Sequence, residues 1–312
     1  MPADHRKPII LHTDIGSDID DSWALAQLLE SPHFRPLLVL TDTGDTMYRA
    51  AVAGKLLEQA GRTDVELAAG RVEHPTPCTC NLTSWIGSYR AEDYPGRFTP
   101  SGIDRLIELA MDESQGEITL VSIGPLPSLA EALRREPRLA PRLHFVGMFG
   151  SLKTNHDGKP NPIAEYNVRM AITACQEVFA APWKSITITP LDTCGRVRLS
   201  GALYQQIAAS DKPLLRAVLD SYRAWLKFGN LPDEGHTSIL FDTVAIHLAH
   251  SHRFLQMEKL KITVRDDGFT VIDNSNGHPM LVATAWSDLP GYQESLTGLL
   301  CRPGQENDKS CR

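Results

Sequence analysis

The chain has 312 residues, is 42% hydrophobic and carries a formal net charge of −7. A prior of about 100–200 residues per domain would favour two domains, but α/β enzymes of this length often form one. The acidic balance argues against a nucleic-acid partner, which requires clustered Lys and Arg. No apolar stretch reaches the roughly 20 residues that span a bilayer, and the N-terminus lacks a signal-peptide core. We therefore expect a cytoplasmic protein without a membrane partner.

The first part of the chain alternates short apolar strands with amphipathic helices. The strands are predicted at residues 9–11, 37–40, 65–68, 118–123, 143–149 and 185–189. The helices are predicted at residues 21–30, 47–60, 103–111, 126–134 and 171–180. This alternation is typical of βαβ units around a mostly parallel sheet. Ligands of such sheets bind beyond the carboxyl ends of the strands, so the polar residues that follow each strand are the first candidates for a site.

The last third has a different pattern. Residues 202–225 are predicted to be mainly helical, 242–249 to form another helix, and 259–264 with 270–272 to form a β-hairpin. We therefore predict a single α/β domain over residues 1–300, with a Rossmann-like core of mostly parallel sheet flanked by helices and a C-terminal helical and hairpin extension. Residues 301–312 are predicted to be a disordered tail. Two long loops, 71–100 and 150–163, are predicted to be lids or binding loops.

Four carboxylates follow the first predicted strand within one short segment, namely Asp14, Asp18, Asp20 and Asp21. Such charges repel strongly unless they are neutralised, and a helix N-terminus offsets only about 0.3–1 kcal/mol per charge. A hard divalent cation is the natural counter-charge, and we favour Ca²⁺ over Mg²⁺, which demands stricter octahedral geometry. The alternative is that the last two aspartates cap a helix while the others are solvated. An EF-hand is disfavoured because the glycine comes third.

Five segments, in the same order along the chain, resemble the nucleoside hydrolase family (inosine–uridine-preferring nucleoside N-ribohydrolases). The family motifs D-x-D-x-x-x-D-D, V-G-N, T-G-P-L-T-N, A-E-F-N and H-D resemble segments 12–21, 43–45, 123–128, 164–167 and 241–242. Four departures from these motifs affect candidate site residues. His12 and Phe241 replace an Asp and a His, Asp45 replaces an Asn, and two extra residues follow Gly16.

The resemblance implies metal-dependent hydrolysis of the N-glycosidic bond of a ribonucleoside, giving ribose and free base, by an Asp-activated water held on the metal. It also implies a role in purine or pyrimidine salvage and a homodimer or homotetramer. The implied metal ligands are Asp14, Asp21, the main-chain carbonyl of Ile123, and Asp242. Asp20 matches the general base, and Asp18 is a rival because it keeps the family's spacing from the first ligand. The implied substrate-binding residues are Asp45, Glu165, Tyr166 and Asn167.

The leaving group is the least determined part of the prediction. Phe241 cannot donate a proton, although its ring could pack against the nucleobase. His236 and His74 are candidate replacement acids, and each could instead be a surface or capping residue. Trp225 could stack on a base, but its helical spacing favours the core. His12 is expected to support the site rather than to bind the metal, because hard cations prefer oxygen.

Three functions remain open at this point. The first is a nucleoside N-ribohydrolase, and the second is a related glycosidase for a modified or unusual ribosyl compound. The third is a non-catalytic protein that binds ribose or a nucleoside with a metal. Retention of a candidate general base argues against the third, because a binding protein does not need one.

Overall fold

The computed structural model describes residues 4–71 and 80–303. Its centre is one ten-stranded sheet with the spatial order β4-β3-β2-β1-β5-β6-β7-β10-β8-β9. The strands are β1 Lys7–Thr13, β2 Phe34–Thr41, β3 Glu66–Ala69, β4 Phe98–Thr99, β5 Ile118–Ser122, β6 Leu143–Met148, β7 Ser185–Thr189, β8 Leu255–Val264, β9 Thr270–Ile272 and β10 His278–Trp286. Neighbouring strands are parallel except where β8 pairs with β10 and with β9. The predicted α/β fold is confirmed.

Helices cover both faces of this sheet. They are α1 Asp20–Glu30, α2 Thr46–Gln59, α3 Thr83–Ile86, α4 Gly102–Met111, α5 Pro127–Arg135, α6 Tyr166–Arg169, α7 Ile172–Ala180, α8 Leu191–Cys194, α9 Gly201–Ala208, α10 Pro213–Phe228, α11 Thr243–Leu248 and α12 Leu289–Leu300. Within the described ranges, no helix has both the length and the apolar character that crossing a bilayer requires.

The sheet divides the core into two layers. Successive side chains of a strand point to opposite faces, and accordingly Ile9 and Leu11 of β1 pack in one layer while Ile10 packs in the other. Trp23 of α1 lies in the first layer and Phe145 of β6 in the second, and both are fully buried. Each such side chain contributes roughly 1.5–3 kcal/mol by leaving water. Burial on both faces explains why the central strands read as continuous apolar runs.

The strand order creates a crevice beside β1. The chain proceeds from β1 to β2, β3 and β4 on one side and then places β5 on the other side of β1. In open α/β sheets, ligands bind at such a reversal, outside the carboxyl ends of the strands. Asp14 follows β1 and Ile123 follows β5, so the fold brings these two predicted metal ligands to the same crevice.

The structure refines the helical prediction for residues 202–225 and adds elements that the sequence did not predict. Residues 202–225 form two helices, α9 and α10, because Pro213 occupies the first turn of α10, where its missing N–H costs nothing. Strand β10 and helix α12 were not predicted. Strand β10 pairs in parallel with β7 and antiparallel with β8, so the predicted hairpin extends the main sheet. His74 and residues 304–312 lie outside the described residues.

Candidate active site

A cavity of about 380 Å³ lies at the carboxyl ends of β1 and β5. Ten of the twelve residues predicted for the site line it, namely Asp14, Asp18, Asp20, Asp21, Ile123, Glu165, Tyr166, Asn167, Phe241 and Asp242. The volume falls within the range of about 300–1,000 Å³ that is usual for small-molecule sites. The fold therefore gathers residues from four distant segments around one small-molecule cavity.

Two glycines permit the close approach of backbone on which the cavity depends. Gly16 has φ +107°, and a Cβ there would lie 2.7 Å from the ring of Tyr48. Gly124 follows β5, and a Cβ there would lie 2.7 Å from the backbone nitrogen of Asp14 and 2.8 Å from its carboxylate. Any larger residue at either position would displace the turn after β1. These contacts hold the first aspartate against the loop that carries Ile123.

Buried carboxylates form the floor of the cavity. Asp20, Asp21 and Asp242 each place one carboxylate oxygen within 4.8 Å of the others. Burial is the main reason that their pKa values are raised well above the ordinary value of 3.8, and the neighbouring carboxylates raise them further. Burial also raises the pKa of Asp14, in spite of the buried Arg49 guanidinium 3.9 Å from its Oδ2.

The donor set suits a hard divalent cation. The clustered ligand atoms are all oxygens, and carboxylate and carbonyl oxygens are the ligands that Ca²⁺ and Mg²⁺ prefer. One guanidinium cannot neutralise four buried carboxylates, and an unneutralised buried charge is costly. The raised pKa values of the aspartates express that cost, which a bound cation would relieve. The residues present therefore fit a metal.

Glu165 and Asn167 are held rigidly at the side of the cavity. Glu165 caps α6: its Oε1 accepts a hydrogen bond from the backbone of Asn167 at 2.7 Å, and its Oε2 accepts from Gly150 at 3.1 Å. Burial raises the pKa of Glu165 to about 7. The amide of Asn167 donates to the carbonyls of Ile123 at 3.3 Å and Met148 at 3.0 Å. The bond from Asn167 to Ile123 thereby connects α6 to the loop that follows β5.

The structure does not bring two predicted residues to the cavity. Asp45 is exposed, and its carboxylate caps α2 by accepting a hydrogen bond from the backbone of Tyr48 at 2.9 Å. A ribose contact from Asp45 stays a prediction. His236 lines a neighbouring cavity of about 360 Å³, which shares Asp18, Trp225 and Phe241 with the first.

His12 lies behind the cluster rather than in it. The side chain is fully buried, with Nδ1 at 2.9 Å from the hydroxyl of Ser122 and Nε2 at 2.8 Å from the carboxylate of Asp42. Asp42 also accepts two hydrogen bonds from Ser128, one from its backbone and one from its hydroxyl. This network joins the ends of β1, β2 and β5 beneath the cavity.

Several lining residues were missed or interpreted differently from the sequence. Asn81 and His156 line the cavity and come from the two long loops, whose length was the signal that pointed to binding loops. Trp225 also lines it, and its indole N–H donates to the carbonyl of Ser17 at 3.2 Å. Its helical spacing had favoured the core, and the residue is in fact only partly buried.

The fold matches solved structures over nearly the whole chain. A structure described as a plant nucleoside hydrolase, the PpNRh1 enzyme, superposes with a TM-score of 0.77 at 22% identity, covering 95% of this chain and 99% of that one. An inosine-guanosine nucleoside hydrolase superposes with a TM-score of 0.76 at 17% identity, covering 95% and 99%. At these identities the likeness defines the class of fold.

Comparison of sequences identifies the family within this class of fold. The family described as inosine-uridine preferring nucleoside hydrolase matches residues 9–291. A pyrimidine-specific ribonucleoside hydrolase, RihA of Shewanella woodyi, is 28% identical over 74% of this chain and 75% of its own. The inosine-uridine preferring nucleoside hydrolase of Crithidia fasciculata is 25% identical over 88% of this chain and 90% of its own. The chain belongs to the nucleoside hydrolase family and is a hydrolase that acts on N-glycosyl compounds.

Proposed function

We propose that this chain hydrolyses ribonucleosides to ribose and free base with the aid of one bound divalent cation, Ca²⁺ in preference to Mg²⁺. The observation that carries the proposal is the cluster of three buried carboxylates, with oxygens within 4.8 Å of one another, inside the cavity that Glu165 and Asn167 also line. A cluster of this kind is costly without a counter-charge, and its all-oxygen donors favour a hard cation.

The cation would be held by Asp14, Asp21, Asp242 and the main-chain carbonyl of Ile123. Such a cation, when bound, lowers the pKa of a water, orients it and offsets the charge of the cluster. Asp20 stands close enough to Asp21 and Asp242 to act either as a further ligand or as a base beside them. We assign it as the base, because the adjacent Asp pair opens α1 as in the family motif.

The remaining residues act directly on the substrate. Asp20 takes the proton of the attacking water while the oxygen of that water bonds to C1′ of the ribose. The bond from C1′ to the nucleobase nitrogen breaks, and its electron pair leaves with the base. The transition state resembles an oxocarbenium ion, so the surrounding carboxylates stabilise its developing positive charge. Glu165 and Asn167 orient the ribose hydroxyls, since both are fixed by backbone hydrogen bonds.

Asp18 remains the rival base. It is exposed and lines both cavities, and its carboxylate accepts a hydrogen bond from the backbone of Ile19 at 2.7 Å. A base works best at a fixed distance from the proton that it removes, which favours the buried Asp20. Separate substitutions distinguish the two residues.

A modified ribosyl compound is the second candidate substrate. A neighbouring cavity of about 360 Å³ shares the lining residues Asp18, Trp225 and Phe241 with the first. We infer that a substituent on the nucleobase would extend towards this second cavity. A nucleoside panel that includes such derivatives would distinguish the two classes by their kcat/KM values.

The direct test of the proposal compares a ribonucleoside with its 2′-deoxy form. Vicinal ribose hydroxyls complete the ligand shell in the proposed complex, so loss of one should remove a charge-assisted contact of about 1.5–3 kcal/mol. We expect kcat/KM, measured by release of reducing sugar, to fall at least about 10-fold for the 2′-deoxy compound. Equal turnover of both compounds would refute binding of the diol at the metal.

Three further inferences accompany this proposal. We infer a homodimer or homotetramer, a cytoplasmic location and a role in purine or pyrimidine salvage. Light scattering of the purified protein would measure the oligomer, and cell fractionation would locate it. Growth on nucleosides as the sole source of nucleobase would test salvage.

A further inference from the structure

The departing nucleobase needs a proton, and Phe241 stands where the resembling family has a histidine beside the last aspartate. We propose that His156 is the general acid that protonates the nucleobase as its bond to C1′ breaks. The proposal rests on the proposed function and names the residue that activates its leaving group.

His156 lies on the loop between β6 and α6 and lines the same cavity as Asp20, Asp242 and Trp225. Among the described residues that line this cavity, it is the only histidine. Histidine is the side chain that ordinarily changes charge between pH 5 and pH 8, which suits proton donation near neutral pH. The cavity thus contains one side chain of the type that the chemistry needs.

The first half of this loop is anchored to α8, the short helix that follows β7. The carboxylate of Asp192 accepts hydrogen bonds at 2.8–3.2 Å from three consecutive backbone N–H groups, those of Leu152, Lys153 and Thr154. Hydrogen bonds to a charged acceptor are worth about 1.5–3 kcal/mol each when buried and less when exposed. The loop therefore holds a defined position relative to the sheet.

The turn that carries the histidine is fixed in the same way. The side-chain oxygen of Asn155 accepts from the backbone of Asp157 at 2.8 Å and of Lys159 at 3.2 Å. The backbone of His156 packs directly on Gly195, where an added Cβ would lie 3.0 Å from the His156 Cα. A general acid requires this kind of positioning, because proton transfer depends on a short and reproducible distance.

The imidazole of His156 remains available for the substrate, unlike that of His236. The side chain of His156 is 47% exposed, and its Nε2 lies 3.5 Å from the carboxylate of Asp157, which is beyond a good hydrogen bond. In contrast, Nδ1 of His236 lies 2.8 Å from the carbonyl of Thr237 and its Nε2 lies 2.8 Å from Glu234. Both nitrogens of His236 are therefore engaged with the protein.

Tyr166 and Glu165 also line the cavity but are weaker candidates for the general acid. Tyr166 is 42% exposed, but a phenol is ordinarily a far weaker acid than an imidazolium. Both carboxylate oxygens of Glu165 already accept backbone N–H groups, which fixes them as acceptors. Neither residue combines suitable acidity with a free donor.

The proton balance of the step is complete. The C1′–N bond breaks, its electron pair moves to the nucleobase nitrogen, and the imidazolium of His156 transfers its proton to the nucleobase. The attacking water gives its oxygen to C1′ and one proton to Asp20. That proton passes to solvent after the products leave, and His156 takes a proton from solvent. No oxidant or further reactant is required.

The test compares substrates whose leaving groups need a proton with one that does not. Inosine and uridine are the nucleosides, and p-nitrophenyl β-D-ribofuranoside is the control because p-nitrophenolate leaves without protonation. We expect His156→Gln to lower kcat on the nucleosides by about 10²–10⁴-fold, the usual contribution of a general acid. On the nitrophenyl compound we expect a change of less than about 3-fold, which also shows that the variant is folded.

Two matched variants and a rescue complete the experiment. His252→Gln alters an exposed histidine outside this cavity, and we expect it to change neither activity. His156→Gly should regain nucleoside hydrolysis when free imidazole is added. The proposal is overturned if His156→Gln affects both substrates equally, if it affects neither, or if His236→Gln alone shows the selective loss. Failure of the unaltered enzyme to cleave any nucleoside would instead reject the proposed function.

Discussion

The two candidate bases differ in how firmly the protein holds them. Asp20 is buried beside Asp242, with carboxylate oxygens within 4.8 Å, whereas Asp18 is exposed at the rim. A buried, fixed carboxylate loses little entropy when it accepts a proton from a positioned water, and an exposed one must first be ordered. The buried Asp20 is therefore the stronger candidate for the base.

Asp20→Asn should lower kcat by about 10²–10⁴-fold, because the amide cannot accept the proton of the water. Calcium affinity, measured by titration calorimetry, should remain within about 10-fold of the unaltered protein, since the proposed ligands stay in place. Asp18→Asn is the matched variant and should lower kcat by less than about 10-fold. The reverse ranking of the two variants would assign the base to Asp18.

At the scale of elements, the site depends on how closely the turn after β1 approaches the loop after β5. Gly124 makes this approach possible, since an added Cβ would meet the backbone nitrogen of Asp14 at 2.7 Å. A backbone atom cannot move aside as a flexible side chain can. The two strand ends that supply proposed metal ligands would be forced apart by a single methyl group.

Gly124→Ala should therefore destabilise the protein by about 1–3 kcal/mol, as overpacking commonly does, and should also weaken metal binding. Denaturant unfolding and calcium titration measure the two effects. Gly298→Ala is the control: it lies within α12 with no atom within 4 Å of an added Cβ, and should stabilise by about 0.5–1 kcal/mol. Unchanged metal affinity in Gly124→Ala would show that the approach of the two loops does not position the ligands.

The sequence predicted the elements whose signals are local. Strand β1, with apolar residues on both faces and aspartates at its carboxyl end, could be located to within a few residues. Strand β10 could not, because its place in the sheet depends on parallel pairing with β7, where Leu281 faces Thr187. Such long-range pairing leaves no periodic mark in a short segment.

The site residues likewise divide into those with a local sequence motif and those placed by long-range packing. The aspartate cluster and the Glu165 segment carry dense local motifs, and the cavity contains them. His156 belongs to a loop with no motif, and only the packing of that loop on Gly195 and Asp192 brings it to the cavity. Asp45 occupies the motif position, but the helix that it caps turns its carboxylate towards the Tyr48 backbone.

At the scale of the whole molecule, the buried acids couple stability to pH. Burial raises the pKa of Glu165 from 4.5 to about 7 and raises those of Asp20, Asp21 and Asp242 above 3.8. In the metal-free protein the folded state then binds more protons than the unfolded state. The free energy of unfolding must therefore fall as pH rises through the interval between the unfolded and folded pKa values.

For Glu165 this interval runs from about 4.5 to about 7. We expect the melting temperature of the chelated protein to fall as pH rises through it, with roughly 3 kcal/mol arising from Glu165. Glu165→Gln should make the melting temperature depend less steeply on pH. Added Ca²⁺ should reduce the contribution of the aspartates to this pH dependence. Calorimetric melting at several pH values measures this dependence for the chelated protein, the Glu165→Gln variant and the protein with added Ca²⁺. A melting temperature that rises with pH in the metal-free protein would contradict the burial of these acids.

In the proposed mechanism, a cation held by the aspartate cluster is required for cleavage of the N-glycosidic bond. The most direct measurement is ribose release from a panel of ribonucleosides before chelation, after chelation and after Ca²⁺ is restored. We expect the unaltered enzyme to release ribose, chelation to abolish this release, and added Ca²⁺ to restore it. Undiminished ribose release from a chelated, demonstrably metal-free enzyme would contradict it.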